Sequence, residues 1–292
     1  MKRALLLTVI FLSACDVGPP PPPIVVLAPG EQENALAGLL TKFTDDTGIP
    51  VEVEWGRSTD HVIRLIENTG KPVDVLITDG VGGIWRAADR GALRPIQSDL
   101  LADLPATVRD PDALWIGIRI HLHLIAHGNA ARPITTSFDD LGTPEFAGRV
   151  CLSSSGLPTN RSLLAYLIEK RGVREAERLV RRWIKNLALP PFAREDELLD
   201  AIRAGKCDYG IGVSSSDLEG LAPFTPSPWY FDLTAAGIGR HAGQPAAAQR
   251  LLDWFLESSS IDLKPGQASY SAAIAGFRDD EARLLAERAG YW

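Results

Sequence analysis

Much of what would mark an enzyme is missing from this chain. It has no G-x-S-x-G nucleophile elbow, no H-E-x-x-H pair, no phosphate-cradling P-loop and no G-x-G-x-x-G dinucleotide fingerprint. Ser, His and Asp are all present, but Gly210-Ile211-Gly212-Val213-Ser214 lacks the elbow spacing, so a serine triad is not expected. Cysteine is scarce, with three in 292 residues. No internal repeat occurs, and the only low-complexity stretch is a run of prolines. Basic residues are outnumbered, 30 against 37 acids, for a formal charge of −7. Without Lys2 and Arg3 the charge becomes −9, which argues against nucleic acid as a partner.

Long apolar runs are also few. Ala4 to Leu12 is one, and it is too short to span a bilayer as a helix. It follows the basic pair Lys2-Arg3 and ends in Leu12-Ser13-Ala14-Cys15. Basic start, apolar middle and small residues before a Cys make a secretory signal peptide, residues 1–15, with a bacterial lipobox. Cys15 is the expected acylated residue, and Asp16 resembles a signal for retention on the inner membrane. Residues 16–23 then form a Pro-rich tether, in which Pro19 to Pro23 would extend about 3 Å per residue as polyproline II. The expectation is a lipid-anchored protein outside the cytoplasm, in the periplasm on the inner membrane.

After the tether, strands and helices alternate. Ile24 to Ala28 is a continuous apolar run, as in a strand buried on both faces. Ala35, Leu36, Leu39, Leu40 and Phe43 recur at helical spacing, and Gly48 ends that helix. Val51 to Trp55 alternates as a strand, Ser58 is placed to cap a helix, and Val73 to Ile77 is the next strand. Trp115 to His127 is one long β-rich run suited to carrying the chain between lobes. A second set follows, with strands at 150–152 and 208–213, three helices between them, and a return strand from Phe231 to Gly239. Helices near 245–256 and 279–288 close the chain. This pattern predicts an α/β protein of two lobes, each a mostly parallel sheet flanked by helices, with a cleft between them. The expected lobes are 24–117 with 232–292, and 118–231.

Open α/β sheets meet ligands at the carboxyl ends of their strands. Those ends carry Glu31, Asp79, Ser153-Ser154-Ser155 and Ser214-Ser215-Ser216. Hydroxyls and N–H groups before a helix suit an anion, and they also suit plain helix capping. The same two readings hold for Ser214 to Ser216 before an expected helix at 217–221. His121 and His123 alternate on one strand face about 7 Å apart. With His127 and the carboxylates they would suit Zn(II), Cu(II) or another divalent ion, and with Arg119 they would suit an anion. Trp229, Tyr230 and Phe231 would either line a cleft for an organic ligand or pack in the core. Cys151 and Cys207 either pair or stay as buried thiols.

The segments IVVLAPGEQE, KFTDDTGIPVEVEWG, PVDVLITDG, FAGRVCLSSSG, RSLLAYLI, AGKCDYGIGV and GIGRHAGQPAAAQRLLDWF resemble, in order and spacing, the periplasmic ferric-ion-binding proteins of bacterial ABC importers. The resemblance covers nearly all of residues 24–275 and implies the type II periplasmic binding fold. It implies a Cys151–Cys207 bridge, capture of a solute between closing lobes, and delivery to an inner-membrane permease by a monomer. In that family, two consecutive tyrosines of the second lobe and a carboxylate of the first hold ferric iron, often with a histidine or another oxygen donor. Asp79 falls on the carboxylate position and Glu31 on or beside the histidine position, which makes them the expected metal ligands. The tyrosine pair falls on Ser215 and Ser216, and Tyr209 lies six residues too early. An alkyl hydroxyl does not give iron an anionic oxygen at neutral pH as a phenol does. The expected ligand-binding set is therefore Glu31, Asp79, His121, Ser153, Ser154, Ser155, Ser214, Ser215 and Ser216, with no prosthetic group. The cargo is iron, alone or with an anion or chelator, or else a divalent metal or small organic solute. A tethered ligand sensor is the alternative role.

Overall fold

The computed structural model describes residues 22–129, 137–214, 216–258 and 270–292. The expected signal peptide, Cys15, most of the tether and Ser215 lie outside these residues. Among the described residues, no helix is long and apolar enough to cross a membrane.

The first half is built from β1 (Ile24–Pro29), α1 (Glu33–Thr47), β2 (Val51–Gly56), α2 (Ser58–Glu67), β3 (Val75–Asp79), α3 (Val81–Asp89) and the short β4 (Leu93–Arg94). β1 is buried at every position because helices cover both faces of its sheet, which is why its sequence is apolar throughout. α1 stops at Gly48, whose φ of 72° is left-handed and costs glycine nothing. Ser58 does not cap α2; its Oγ accepts the Asp79 N–H at 3.1 Å and so fixes the end of β3.

β5 (Ile116–His127) carries the chain across. The second half holds β6 (Val150–Cys151), α4 (Pro158–Arg171), α5 (Val173–Lys185), α6 (Glu195–Arg203), β7 (Tyr209–Val213) and β8 (Ala222–Phe224). β9 (Phe231–Gly239) returns, followed by α7 (Pro245–Ser258), α8 (Ala272–Phe277) and α9 (Asp279–Ala289). The two expected sheets are joined into one path, β2-β1-β3-β9-β5-β7-β6. β1 pairs parallel with β2 and β3, and β6 with β7, but every pairing of β5 and β9 is antiparallel. The join is β5 itself: Ile116 to Leu122 pairs with β9, and His123 to His127 pairs with β7.

One large apolar core runs through both halves, with a smaller cluster of Leu124, Ala126, Leu198, Leu199 and Ile202 around the cysteines. Cys151 and Cys207 are bonded, with Cα atoms 6.0 Å apart, as the resemblance implies. α5 explains its own docking: Ala176, Leu179, Val180 and Trp183 form one buried stripe at i, i+3, i+4 and i+7. The segment 232–292, assigned by sequence to the first lobe, divides in its contacts. α7 packs on β9, whereas α9 packs on α4 and α5, and α8 touches both α3 and α4. Arg161, at the start of α4, reaches Asp279 at 2.8 Å, and Tyr291 Oη donates to the Ser153 carbonyl at 2.7 Å.

Candidate functional site

A cavity of about 610 Å³ opens at the strand ends where the two halves meet. Glu31, Gln32, Asn34 and Asp79 enter from the first half, Arg119 and His121 from β5, and Thr159, Glu195, Val213 and Ser216 from the second. Leu157, Ala35 and Ala193 add apolar wall.

Asp79 ends β3, half-buried. Gln32 Nε2 donates to Asp79 Oδ1 at 3.4 Å, while Arg119 Nη1 donates to Gln32 Oε1 at 3.2 Å. Gln32 thus links the guanidinium to the acid. Burial, then the charges of Glu31 and Glu195, push the Asp79 carboxyl up to about 6. Glu31 is exposed at the rim, in the single 3-10 turn after β1. Glu195 opens α6; its Oε1 accepts the Val213 N–H at 2.9 Å and the Ser216 hydroxyl. Burial raises its carboxyl as well, against the pull of those two donors.

His121 lies in the cavity wall and is 1% exposed. Its Nε2 meets Thr234 Oγ1 at 2.8 Å, and burial, then Arg119, lower it to about 4, so the ring is neutral at pH 7. His123 is lowered to about 3 by burial and then by His121, and it does not reach the cavity. His127 turns to the Gly128 carbonyl at 3.0 Å. The histidine-rich metal reading does not assemble: among the described residues, no three His, Cys, Asp or Glu side chains stand together as a metal group.

The serines are placed differently from expectation. Ser153 Oγ accepts from Asn160 at 2.9 Å, Ser154 Oγ accepts the Gly156 N–H at 3.1 Å, and Ser155 Oγ donates to the Tyr291 carbonyl at 2.9 Å. None of the three lines the cavity. They fasten the β6–α4 loop instead, and α4 begins on Pro158 with no side-chain cap. Ser214 is exposed; its Oγ accepts the Leu122 N–H at 3.0 Å and closes the β5–β7 pairing. Ser216 does line the cavity, and Ser215 lies outside the described residues. No helix follows at 217–221, so neither Ser214 nor Ser216 is a cap. Tyr230 and Phe231 are buried core, Tyr230 stacking on Tyr270 at 5.9 Å, and Trp229 is not in the cavity wall. Tyr209 is buried against Phe146.

The fold is shared with solved structures. A Trichodesmium protein described in complex with iron and citrate ligands superposes with a TM-score of 0.81 at 23% identity, over 92% of this chain and all of that one. A ferric binding protein from Campylobacter jejuni gives 0.82 at 19% identity, over 92% of this chain and all of that one. The fold is the type II periplasmic binding fold. By sequence, the chain is 29% identical over 214 residues to the "Iron uptake protein A1" of Synechocystis sp. (strain ATCC 27184 / PCC 6803 / Kazusa), over 68% of this chain. The match spans 59% of that relative's length, less than two thirds. No family model matches the chain. The Synechocystis and Campylobacter proteins are named as uptake and binding proteins, not as enzymes.

Glu195 is one of the cavity residues that sequence reading misses, with Gln32, Asn34 and Thr159. It begins a run of three acids, Glu195-Asp196-Glu197, which looks like ordinary charge at a helix start. Only its contacts with Val213 and Ser216 distinguish it from its neighbours.

Proposed function

We propose that this protein is the extracytoplasmic solute-binding component of an ABC importer, and that ferric iron is the solute it captures in the cleft. The observation that carries the reading is the pair of first-half acids, Asp79 and Glu31, facing second-half oxygens across one cavity. Hard oxygen donors suit a hard cation. The named iron-handling relatives and the shared fold support the choice of cargo. A ligand touching both halves would stabilise a closed form, which the permease would then recognise. The chain would act as a monomer held by a lipid on Cys15 to the inner membrane, facing the periplasm.

A second reading rests on the volume of the cavity. About 610 Å³ is far more than a bare ion needs, and its carboxylates are spread around the wall. Iron carried by a chelator, or a small organic cation, would use that space.

A titration with ferric iron, with and without citrate, decides between them. Tight one-to-one quenching of Trp fluorescence, without a phenolate charge-transfer band, is the expected result. Silence toward iron in both conditions, with a response to organic cations, would replace the first reading by the second.

A further inference from the structure

α5 carries a charge opposite to that of the chain around it. Ala176, Leu179, Val180 and Trp183 face the core, and the exposed positions of the helix are Arg174, Glu175, Arg178, Arg181, Arg182 and Lys185. All but Glu175 are cationic, in a protein of net charge −7. The acids of α5 are already answered: Glu175 pairs with Arg178, and Glu177 lies between Arg181 at 2.7 Å and Arg288 at 3.0 Å. Among the described residues, Arg174, Arg182 and Lys185, with the exposed Lys170 at the end of α4, have no acid partner. From Arg174 to Lys185 the strip runs about 16 Å along the helix. Its first turn borders a hollow of about 420 Å³ edged by Arg171, Arg174, Glu175 and Arg178. No apolar side chain of α5 is exposed, so the face can meet a charged surface but has nothing to insert into an apolar one.

We propose that this face of α5 docks the protein body on anionic phospholipid, the surface to which Cys15 tethers it. The inference rests on the lipid anchor proposed above. The chain from Cys15 to Ile24 can span at most about 30 Å, so the body stays where headgroup phosphates are concentrated. A row of long, flexible cations matches a plane of phosphates, and the attraction grows with each cation. A protein partner calls for an apolar or aromatic anchor at the centre of its interface, which the strip lacks. Nucleic acid would meet the same strip but be repelled by the acidic remainder of the chain. Docking leaves the cleft in use. No α5 residue lines the cavity. The Asn186 carbonyl, just past the helix, accepts the Val150 N–H at 3.2 Å, at the start of β6, whereas the cavity lies beyond the other end of that strand.

The test uses the mature protein, purified from cells in detergent and reconstituted on phosphatidylcholine vesicles with or without phosphatidylglycerol. Flotation reads attachment, and brief acetylation followed by mass spectrometry reads which lysines are covered. Lys170 and Lys185 report the face, and Lys71, on the first half, is the control. Labelling of Lys170 and Lys185 is expected to fall on phosphatidylglycerol vesicles alone and to return in about 0.5 M salt, with Lys71 unchanged. Arg174→Gln with Arg182→Gln removes two exposed, unpaired charges and is expected to weaken docking about 25-fold, about fivefold for each. Unchanged protection in that double variant overturns the proposal. So does equal protection on phosphatidylcholine, or protection by inorganic phosphate in place of phosphatidylglycerol. No protection on phosphatidylglycerol also overturns it and turns the strip toward an acidic protein. Flotation with phosphatidylglycerol alone overturns the anchor; docking then stands when the double variant no longer floats and falls otherwise. Failure to float with either vesicle overturns both.

Discussion

Tyr291, next to last in the chain, donates its hydroxyl to the carbonyl of Ser153 at 2.7 Å, and its own carbonyl accepts from Ser155 at 2.9 Å. The C-terminus is thereby tied to the loop that enters α4. Tyr291 is 3% exposed, so the hydroxyl has no water to fall back on. Tyr291→Phe should cost about 1 kcal/mol, the usual net value of one hydrogen bond, because Asn160 still reaches the Ser153 carbonyl. A urea midpoint identical to wild type would mean the bond contributes nothing.

Asp232 should make stability depend on pH in an unusual direction. It is fully buried, and Oδ1 accepts the N–H groups of Val81 at 3.1 Å and Leu233 at 2.8 Å. Burial pushes its carboxyl up to about 7, so the folded state keeps a proton that the unfolded chain releases near pH 4. Its contribution therefore falls as pH rises from about 4 through 7 and is spent above that. Asp232→Asn keeps the acceptor and removes the charge. It should be more stable than wild type at pH 8, by up to about 4 kcal/mol, and nearly equal at pH 4. Urea unfolding at both pH values checks this, and a gap that does not change with pH would refute it.

The Cys151–Cys207 bond closes a loop with a sequence separation of 56. Its removal by paired alanine substitution should lower stability by about 4 kcal/mol on the chain-entropy estimate. The loss should appear as an earlier denaturation midpoint, and a shift of only a few tenths of a kcal/mol would show that other contacts already hold β6 against the start of β7.

On the proposed iron reading, affinity should separate Asp79 from the serines that precede Gly156. Asp79→Asn removes a cavity acid and should weaken binding by about tenfold or more. Ser154→Ala touches only a local turn and should leave affinity within about twofold, since that hydroxyl bonds the Gly156 N–H outside the cavity. Equal losses in a fluorescence titration would place the anion-cradle reading of those serines back in force.

The order of elements was legible because each carries its own local signal. β9 is a clear case: Phe231 to Gly239 is buried throughout and is apolar apart from Asp232 and Thr234. The cysteine pairing was legible first from the expected oxidising compartment, in which two thiols have one possible partner, and the resemblance strengthened it. Of the site, Asp79 and Glu31 were found because strand ends are found. Of the two readings of Ser214 and Ser216, capping fails for both and Ser216 alone lines the cavity; their partners, Leu122 and Glu195, lie 92 and 21 residues away in sequence. Pro223, Pro226 and Pro228 give β8 no strand signal, yet Ala222–Phe224 pairs with β5, where Pro223 needs to donate nothing. The docking of α9 on α4 and α5 follows from packing, which periodicity does not specify.

That docking also sets an order of events. α8 and α9 are synthesised well after α4 and α5; α9 covers both, and α8 covers α4. Until they arrive, α4 must wait with its outer surface uncovered. The β-crossing can form first, and the back of the molecule is sealed only when these two helices dock. A chain cut short by two dozen residues would keep its cleft residues and lose the seal, and quality control would meet an almost complete binding site on a surface that is still open.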